Sequence, residues 1–560
     1  MDAGTDSQLA ETTSDGNKEK FQLTENETVQ VESNKRSRLK VATVCILCFF
    51  NLTYYMDRFG IAGILTAIQC DLGATDSQAG LLQTAFIIPY VIFSPVVGYL
   101  GDRYSRRLIL VLGIFFWSCA TLTASFMPEL WSFIVVRSLT GVGEACFSSL
   151  APAIISDLYA SNVRSKYLAV YYFAIPVGSG LGYIIFAEVA TAADDWRWGL
   201  RVTPVFGFIT VVLIMLFLQD PPRGQSEGSR MKTTSWMNDL KYFATHGSYI
   251  WISIATTAVA FIAGAFGAWG PKYITLGLVT QEEQQSEDIS DLLGRVSLVF
   301  GFITVVTGLM GVIFGSLMGT KLRGKYPTID PEICGFGVLA SVPLIFAMTI
   351  LARGPEAPTY ITFFFGQWFL NLNWALATDM LMYTIVPTRR SSAKALQILL
   401  NHVLGDAGSP YIIGLLSDAF KPLVDSGYST KYLASPSSFL RNGTLPIEEQ
   451  DCDLSPIDVT TAERDFTALQ YALFIALFIQ VLGAFAFIAT SWTIIDDKAE
   501  VDRAAAINRI KNDNSVQSDS TVDDSISNKP TVPPPTIVIS EYLCNKPTVP
   551  PPTIVISEYL

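Results

Sequence analysis

Asp57 and Arg58 stand side by side inside the apolar run from Val41 to Leu65, a stretch long enough to cross a bilayer. A charge at membrane depth costs about 2.5–3.5 kcal/mol or more, so the pair must face a protein interior or a wet cavity and must have partners there. Arg137 and Glu144 are the candidates. They lie seven residues apart in another apolar run and so share one helical face. Asp379, His402 and Asp406 are further ionisable groups in apolar surroundings. Histidine titrates between pH 5 and 8 and desolvation can push a buried carboxylate up into that range, so Asp57, Glu144, His402 and Asp406 are the set expected to exchange protons. Arg58 and Arg137 are suited to a phosphate or carboxylate as charge-assisted donors. Tyr54, Tyr55, Trp269, Trp368, Phe369 and Trp374 could wall an apolar groove, although aromatics in membrane helices serve more often as packing or interfacial anchors. Asp406, between Gly405 and Gly408-Ser409-Pro410, also fits the cap of a broken helix. His402 also fits a hydrogen-bonded structural role.

Catalysis has no comparable constellation. The chain has no Ser/His/Asp set, HExxH, phosphate-cradling Gly loop or metal cluster with usable spacing, so neither an enzyme nor a metal or organic cofactor is expected. A proton gradient is the one energy source the titratable groups suggest. Among eight cysteines, Cys45, Cys48, Cys119, Cys146 and Cys334 fall in apolar runs, where a thiol behaves as a small hydrophobe. Cys70 and Cys452 fall on one side of the predicted membrane, and a bridge between them stays open.

The elements that must position these residues are membrane helices. Of 560 residues, 50% are hydrophobic and 16% charged, and the mean hydropathy is +0.37. Repeated runs of about 20 apolar residues, ended by charges or Pro/Gly, predict about twelve spans because lipid forces backbone groups to be satisfied within each segment. They fall near 41–66, 79–100, 108–126, 130–155, 167–190, 200–218, 249–275, 294–318, 332–352, 359–385, 392–419 and 467–492. Arg103, Arg106, Arg107, Arg164, Lys166, Lys321, Arg323, Lys325, Arg389 and Arg390 crowd alternate loops, which are therefore expected to be cytoplasmic, with both termini. No cleavable signal is expected before the first span. The intervening loops carry Asp71, Asp76, Asp194, Asp195 and the run QEEQQSEDISD. The net charge of −12 is spread over tails and loops and implies no nucleic-acid partner.

The domain organisation is an N-terminal tail (1–39), a six-helix bundle (40–218), a polar linker (219–248), a second six-helix bundle (249–492) and a C-terminal tail (493–560). Two similar bundles joined by a linker is the build of a rocking transporter with its site near the midplane. The tails are too polar to bury a core and are expected to be disordered. In the second, NKPTVPPPTIVISEYL occurs at 528–543 and again at 545–560. A doubled Pro-rich docking peptide and a duplication without function both fit.

Gly98-Tyr99-Leu100-Gly101-Asp102-Arg103-Tyr104-Ser105-Arg106-Arg107 joins the second and third spans and resembles the loop signature of the major facilitator superfamily, with Ser105 where that pattern has Gly. The resemblance implies that Gly98, Asp102, Arg103, Arg106 and Arg107 form a gate, the acid tying the loop to a neighbouring helix end in the outward-open state. A remnant in the second half, Gly315 to Arg323, has Gly319 at the acid's position, so the gate is expected to be asymmetric. The blocks Asn51 to Gly63, Phe173 to Tyr183, Trp198 to Pro204 and His402 to Pro410 closely resemble the Spinster family, and this likeness spans about 40–495. It implies export of single-chain lipids, lysophospholipids or sphingosine-1-phosphate and its relatives, with proton coupling in a lysosomal branch. Lysosomal or late endosomal membrane is the favoured location and plasma membrane the alternative. Arg58, Arg137, Glu144, Tyr54 and Trp269 are expected to bind substrate, in a monomer whose partners are the lipid and the bilayer. A superfamily carrier for a soluble organic anion or sugar is the runner-up. Asn442-Gly443-Thr444 is an expected glycan site, whereas Asn26-Glu27-Thr28 is expected to stay unmodified. Asp288 to Leu293 spells an acidic dileucine signal on the wrong side for an adaptor.

Overall fold

The computed structural model describes residues 38–159, 161–220, 236–281, 289–386, 389–425 and 459–503. Ten described helices are long and apolar enough to span a membrane: Arg38–Gly63, Asp76–Gly101, Arg106–Ala124, Leu130–Leu158, Lys166–Ala193, Arg197–Phe217, Gly247–Val279, Leu292–Leu322, Ile329–Leu351 and Thr461–Thr490. They correspond to expected spans one to nine and twelve. The tenth and eleventh are broken instead of continuous. The tenth consists of Glu356–Leu370 and Asn373–Thr384. The eleventh runs as Arg390–Leu400, a π-turn at Asn401–Asp406 and Gly408–Asp425.

The second break has a visible cause. Gly405 sits at φ −105° and ψ −115°, outside helical geometry. Its Cα lies so close to the seventh span that an added Cβ would come within 2.7 Å of Ala260 Cβ. The π-turn therefore turns Asn401, His402 and Asp406 against the seventh span, and π-bulges of this kind concentrate at functional sites.

Small residues bring the halves together. Gly180 in the fifth span and Gly301 in the eighth face each other, and a Cβ on either would lie 2.4 Å from the other's carbonyl oxygen. Pro176 packs over Gly308 in the same seam. Such contacts allow two membrane helices to meet backbone to backbone, which supplies packing where lipid removes the hydrophobic drive.

The linker's described part contains the helix Trp236–Thr245, which buries Phe243 and docks through Asp239 to Arg389 at 2.9 Å. The N-terminal tail to residue 37, the loop holding Asn442 and Cys452, and the duplicated tail lie outside the described residues.

Candidate functional site

The first span places Asp57 and Arg58 on adjacent faces, and each enters a different network. Asp57 is buried, with Oδ2 at 2.7 Å from Arg137 Nη1 and Oδ1 accepting the Thr203 hydroxyl at 2.8 Å. Arg137 also donates to the Asp57 carbonyl at 3.3 Å and to Thr121 Oγ1 at 3.4 Å. The Asp57–Arg137 pair thus links the first, third, fourth and sixth spans within the N-terminal half.

Arg58 points the other way, toward the second half. Its Nη2 lies 2.8 Å from Asp406 Oδ2 and its Nη1 lies 3.4 Å from Glu144 Oε1, so one cation joins a carboxylate from each bundle. Phe86 lies under the guanidinium at 4.7 Å, a cation–π contact. His402 Nδ1 contacts Asp406 Oδ1 at 2.9 Å across the π-turn, and Tyr90 stands edge-on to the imidazole. Glu144 is almost wholly buried, and its second oxygen, Oε2, has no hydrogen-bond partner among the described residues. Tyr54, Gln83, Phe86 and Trp117 line a void beside Arg58 and Glu144.

One expected substrate contact is placed elsewhere. Trp269 is fully buried and donates its indole N–H to the Pro410 carbonyl at 3.0 Å, so it packs the seventh span on the eleventh and walls no cavity in this conformation. Arg137, although bonded to Asp57, lines the same void as Arg58 and Glu144. Asp379 lies at the linker end of the tenth span, 3.4 Å from Arg323, away from the central cluster. The sequence reading missed Phe86, Tyr90, Gln83 and Thr203, uncharged residues that nothing sets apart from packing until the fold gathers them.

It also missed a second charged cluster, on the side away from the linker. Asp76, buried at the start of the second span, takes Lys272 at 2.6 Å and Lys421 at 2.8 Å, both from the other half. Asp418 of the eleventh span accepts the backbone N–H groups of Asp76 and Ser77 at 3.2 and 2.7 Å, capping a helix of the opposite bundle. Gly80 lies against Pro410 so closely that a Cβ would be 2.3 Å from its carbonyl oxygen. Lys272, an ion inside a long apolar run, carried the same signal as Arg58.

On the linker side the gate residues keep to their own half. Arg106 pairs with Asp157 and Arg103 lies over Tyr99 at 4.2 Å. Arg107 is half-buried, and an added Cβ at Gly98 would meet nothing within 4 Å. The Asp102 side chain is outside the described set. In the second half Arg323 reaches the fully buried Asp330 at 2.7 Å.

Twelve predicted helices in two bundles, with a charged seam at mid-depth, define a membrane carrier. Residues 47–410 match the Major Facilitator Superfamily, and the chain belongs to it. A bacterial homologue of the human lysosomal transporter Spinster, solved inward-facing and unoccupied, superposes with a TM-score of 0.64 at 18% identity, covering 82% of this chain and 98% of that one. The nucleoside transporter NupG superposes at 0.55 with 12% identity, over 81% and 98%. Within the superfamily the chain belongs to the Spinster family. It is 46% identical to Protein spinster of Drosophila melanogaster over 82% of this chain and 78% of that protein. The sphingosine-1-phosphate transporter SPNS2 of Danio rerio is 40% identical over 84% and 87%. Protein spinster homolog 1 of Mus musculus is 42% identical over 81% of each.

Proposed function

We propose that this chain exports single-chain lipids with an anionic head group, lysophospholipid or sphingosine-1-phosphate-like, by alternating access coupled to protons. The observation that carries the reading is Arg58, held between Glu144 and Asp406 at the joint of the two bundles. A phosphate entering this joint competes with both carboxylates for one guanidinium. The carboxylates it displaces are then left buried without a counter-ion, a condition that favours proton uptake. Glu144 Oε2, unpartnered among the described residues, and His402 against Asp406 are the proton-bearing groups. Sphingosine-1-phosphate is named for one relative, which supports the substrate class.

Positive loops on the linker side make that side cytoplasmic, with both termini. The bundles meet on the opposite side through Asp76, Lys272, Lys421 and Asp418, so the conformation described is closed away from the cytoplasm. A lysosomal or late endosomal membrane suits proton-driven export of a lysolipid, and a monomer holds the entire site. The test is parallel transport of labelled lysophosphatidylcholine and sphingosine-1-phosphate in vesicles with an imposed pH gradient. Gradient-dependent movement of either lipid is expected. Movement of a soluble organic anion or sugar, and of neither lipid, overturns the lipid reading.

A further inference from the structure

Charged groups at membrane depth are expensive, and most cations within the spans are paired with an acid, Arg201 excepted, which bonds Ser125 Oγ and lies over Phe126 and Trp198. Arg58, Arg137, Lys272 and Lys421 all have a carboxylate within 4.0 Å. Lys394, in the first segment of the eleventh span, differs. Its ammonium donates to Gln397 Oε1 at 3.0 Å and Thr378 Oγ1 at 3.3 Å, both neutral, and no acid lies within ion-pair distance among the described residues. A lysine that merely anchors a helix end extends back toward the aqueous end, here Arg390. Lys394 turns the opposite way, since Gln397 is a turn deeper in the same helix, and Thr378 lies on the tenth span beside Asp379, inside the Thr384 end.

A polar track continues inward from it. Gln397 donates to Thr256 at 3.4 Å, and Thr256 and Thr257 both donate to Asn401 Oδ1, at 3.2 and 3.0 Å. The next residue is His402, bound to Asp406, which holds Arg58. Lys394, Thr378, Thr257, Asn401 and His402 are half-buried while Gln397 and Thr256 between them are buried, so the track borders accessible space at its two ends and is closed by packing in the middle. From Lys394 to His402 is eight residues, about 12 Å of helix rise.

We propose that Lys394, with Thr378 and Gln397, is a second anion site on the linker side, which takes the phosphate of a single-chain lipid before it passes along the track to Arg58. The site rests on the lipid reading above. An incoming phosphate supplies the negative charge that the chain withholds from Lys394, and Thr378, whose hydroxyl donates to the Trp374 carbonyl in this state, can turn it to the phosphate. Because no carboxylate of its own competes, loading here breaks no ion pair. The central site, where Arg58 must leave Glu144 or Asp406, then acts only on a head group already extracted from the leaflet.

The test measures binding of labelled sphingosine-1-phosphate and of sphingosine, which lacks the phosphate, to the purified full chain. Lys394→Met keeps length and removes charge, and should weaken sphingosine-1-phosphate by about tenfold or more, the worth of a hydrogen bond to a charged group. Sphingosine affinity should stay at the wild-type value in the same variant, which also reports that it is folded. Lys394→Arg should restore binding of the phosphate form. Equal affinity of wild type and Lys394→Met for sphingosine-1-phosphate overturns the second site and leaves the lipid reading intact. A wild-type chain that binds neither lipid overturns both. Inorganic phosphate enters as competitor: displacement of the lipid at equimolar phosphate would make this a free-anion site and remove the lipid assignment.

Discussion

Arg58 is the residue on which the two halves depend together, because its 2.8 Å bond to Asp406 crosses the seam while Glu144 holds it at 3.4 Å on its own side. Removing one member of a buried pair leaves the survivors charged and unpartnered, at a cost of about 3–5 kcal/mol. Arg58→Ala should therefore abolish lipid transport in protein that still reaches the membrane, and Glu144→Gln should weaken or uncouple it. Normal rates in both, in correctly localised protein, would put the site elsewhere. His402 makes a separable prediction. It contacts Asp406 Oδ1, the oxygen that Arg58 does not use, so His402→Gln keeps a hydrogen-bonding side chain there and deletes the imidazole, the side chain type suited to proton exchange. The pH profile of transport should flatten more than the maximal rate falls; an unchanged profile removes His402 from the proton route.

At the scale of the helix, ten spans were legible because a run of about 20 apolar residues has few alternatives in lipid. The breaks in the tenth and eleventh were not, since hydropathy averages over a π-turn and Gly405 reads as one more small residue. For the same reason Asp57 with Arg137 and Arg58 with Glu144 could be paired from cost and spacing, while Asp406 as the bridge needed the turn that swings it inward. Trp269 was misread because its type is common to walls and to packing, and only contacts separate them. The far-side latch also escaped notice, although Asp418 capping the second span across the seam is an element-level device. Separation of the halves on that side must break two lysine pairs and two capping bonds at once. Asp418→Asn, which keeps shape and loses the charge at the helix N-terminus, should favour the separated form. Gly80→Val should do so more strongly, because its Cβ has no room against Pro410. A cysteine at the buried Ala79 position should then react faster with a membrane-impermeant thiol reagent, and unchanged reactivity in both variants would refute the latch.

For the whole molecule, sidedness and state are linked. If the linker side is cytoplasmic, Asn442 lies across the membrane from it, so Asn442→Gln should remove a glycan shift on a gel while Asn26→Gln changes nothing; a glycan on Asn26 would invert the topology. The state described is closed at the latch, and in it a Cβ at Gly98, near the linker end of the second span, would meet nothing within 4 Å, while Ser105 and Arg106 beyond it bond Asp220 and Asp157 of the same half. A glycine is ordinary in a membrane helix, but one followed three residues later by Gly101, which does pack against Leu150, marks a face made for close approach. The expected gate, with Asp102 tied to a neighbouring helix end, would place that approach in the opposite state. Gly98→Val should therefore leave the present conformation unstrained and penalise only its alternative. Because a change that strains one of two states shifts the balance by its differential cost, the variant should accumulate in the latch-closed form. The expected result is lipid binding at wild-type affinity, transport reduced to a small fraction, and thiol reactivity at Ala79→Cys lower than in the parent. Gly80→Val acts on the same equilibrium from the other side, so adding it to Gly98→Val should restore reactivity at that reporter. Wild-type transport by Gly98→Val would mean that the loop never closes on a partner and that its charges serve only to orient the chain.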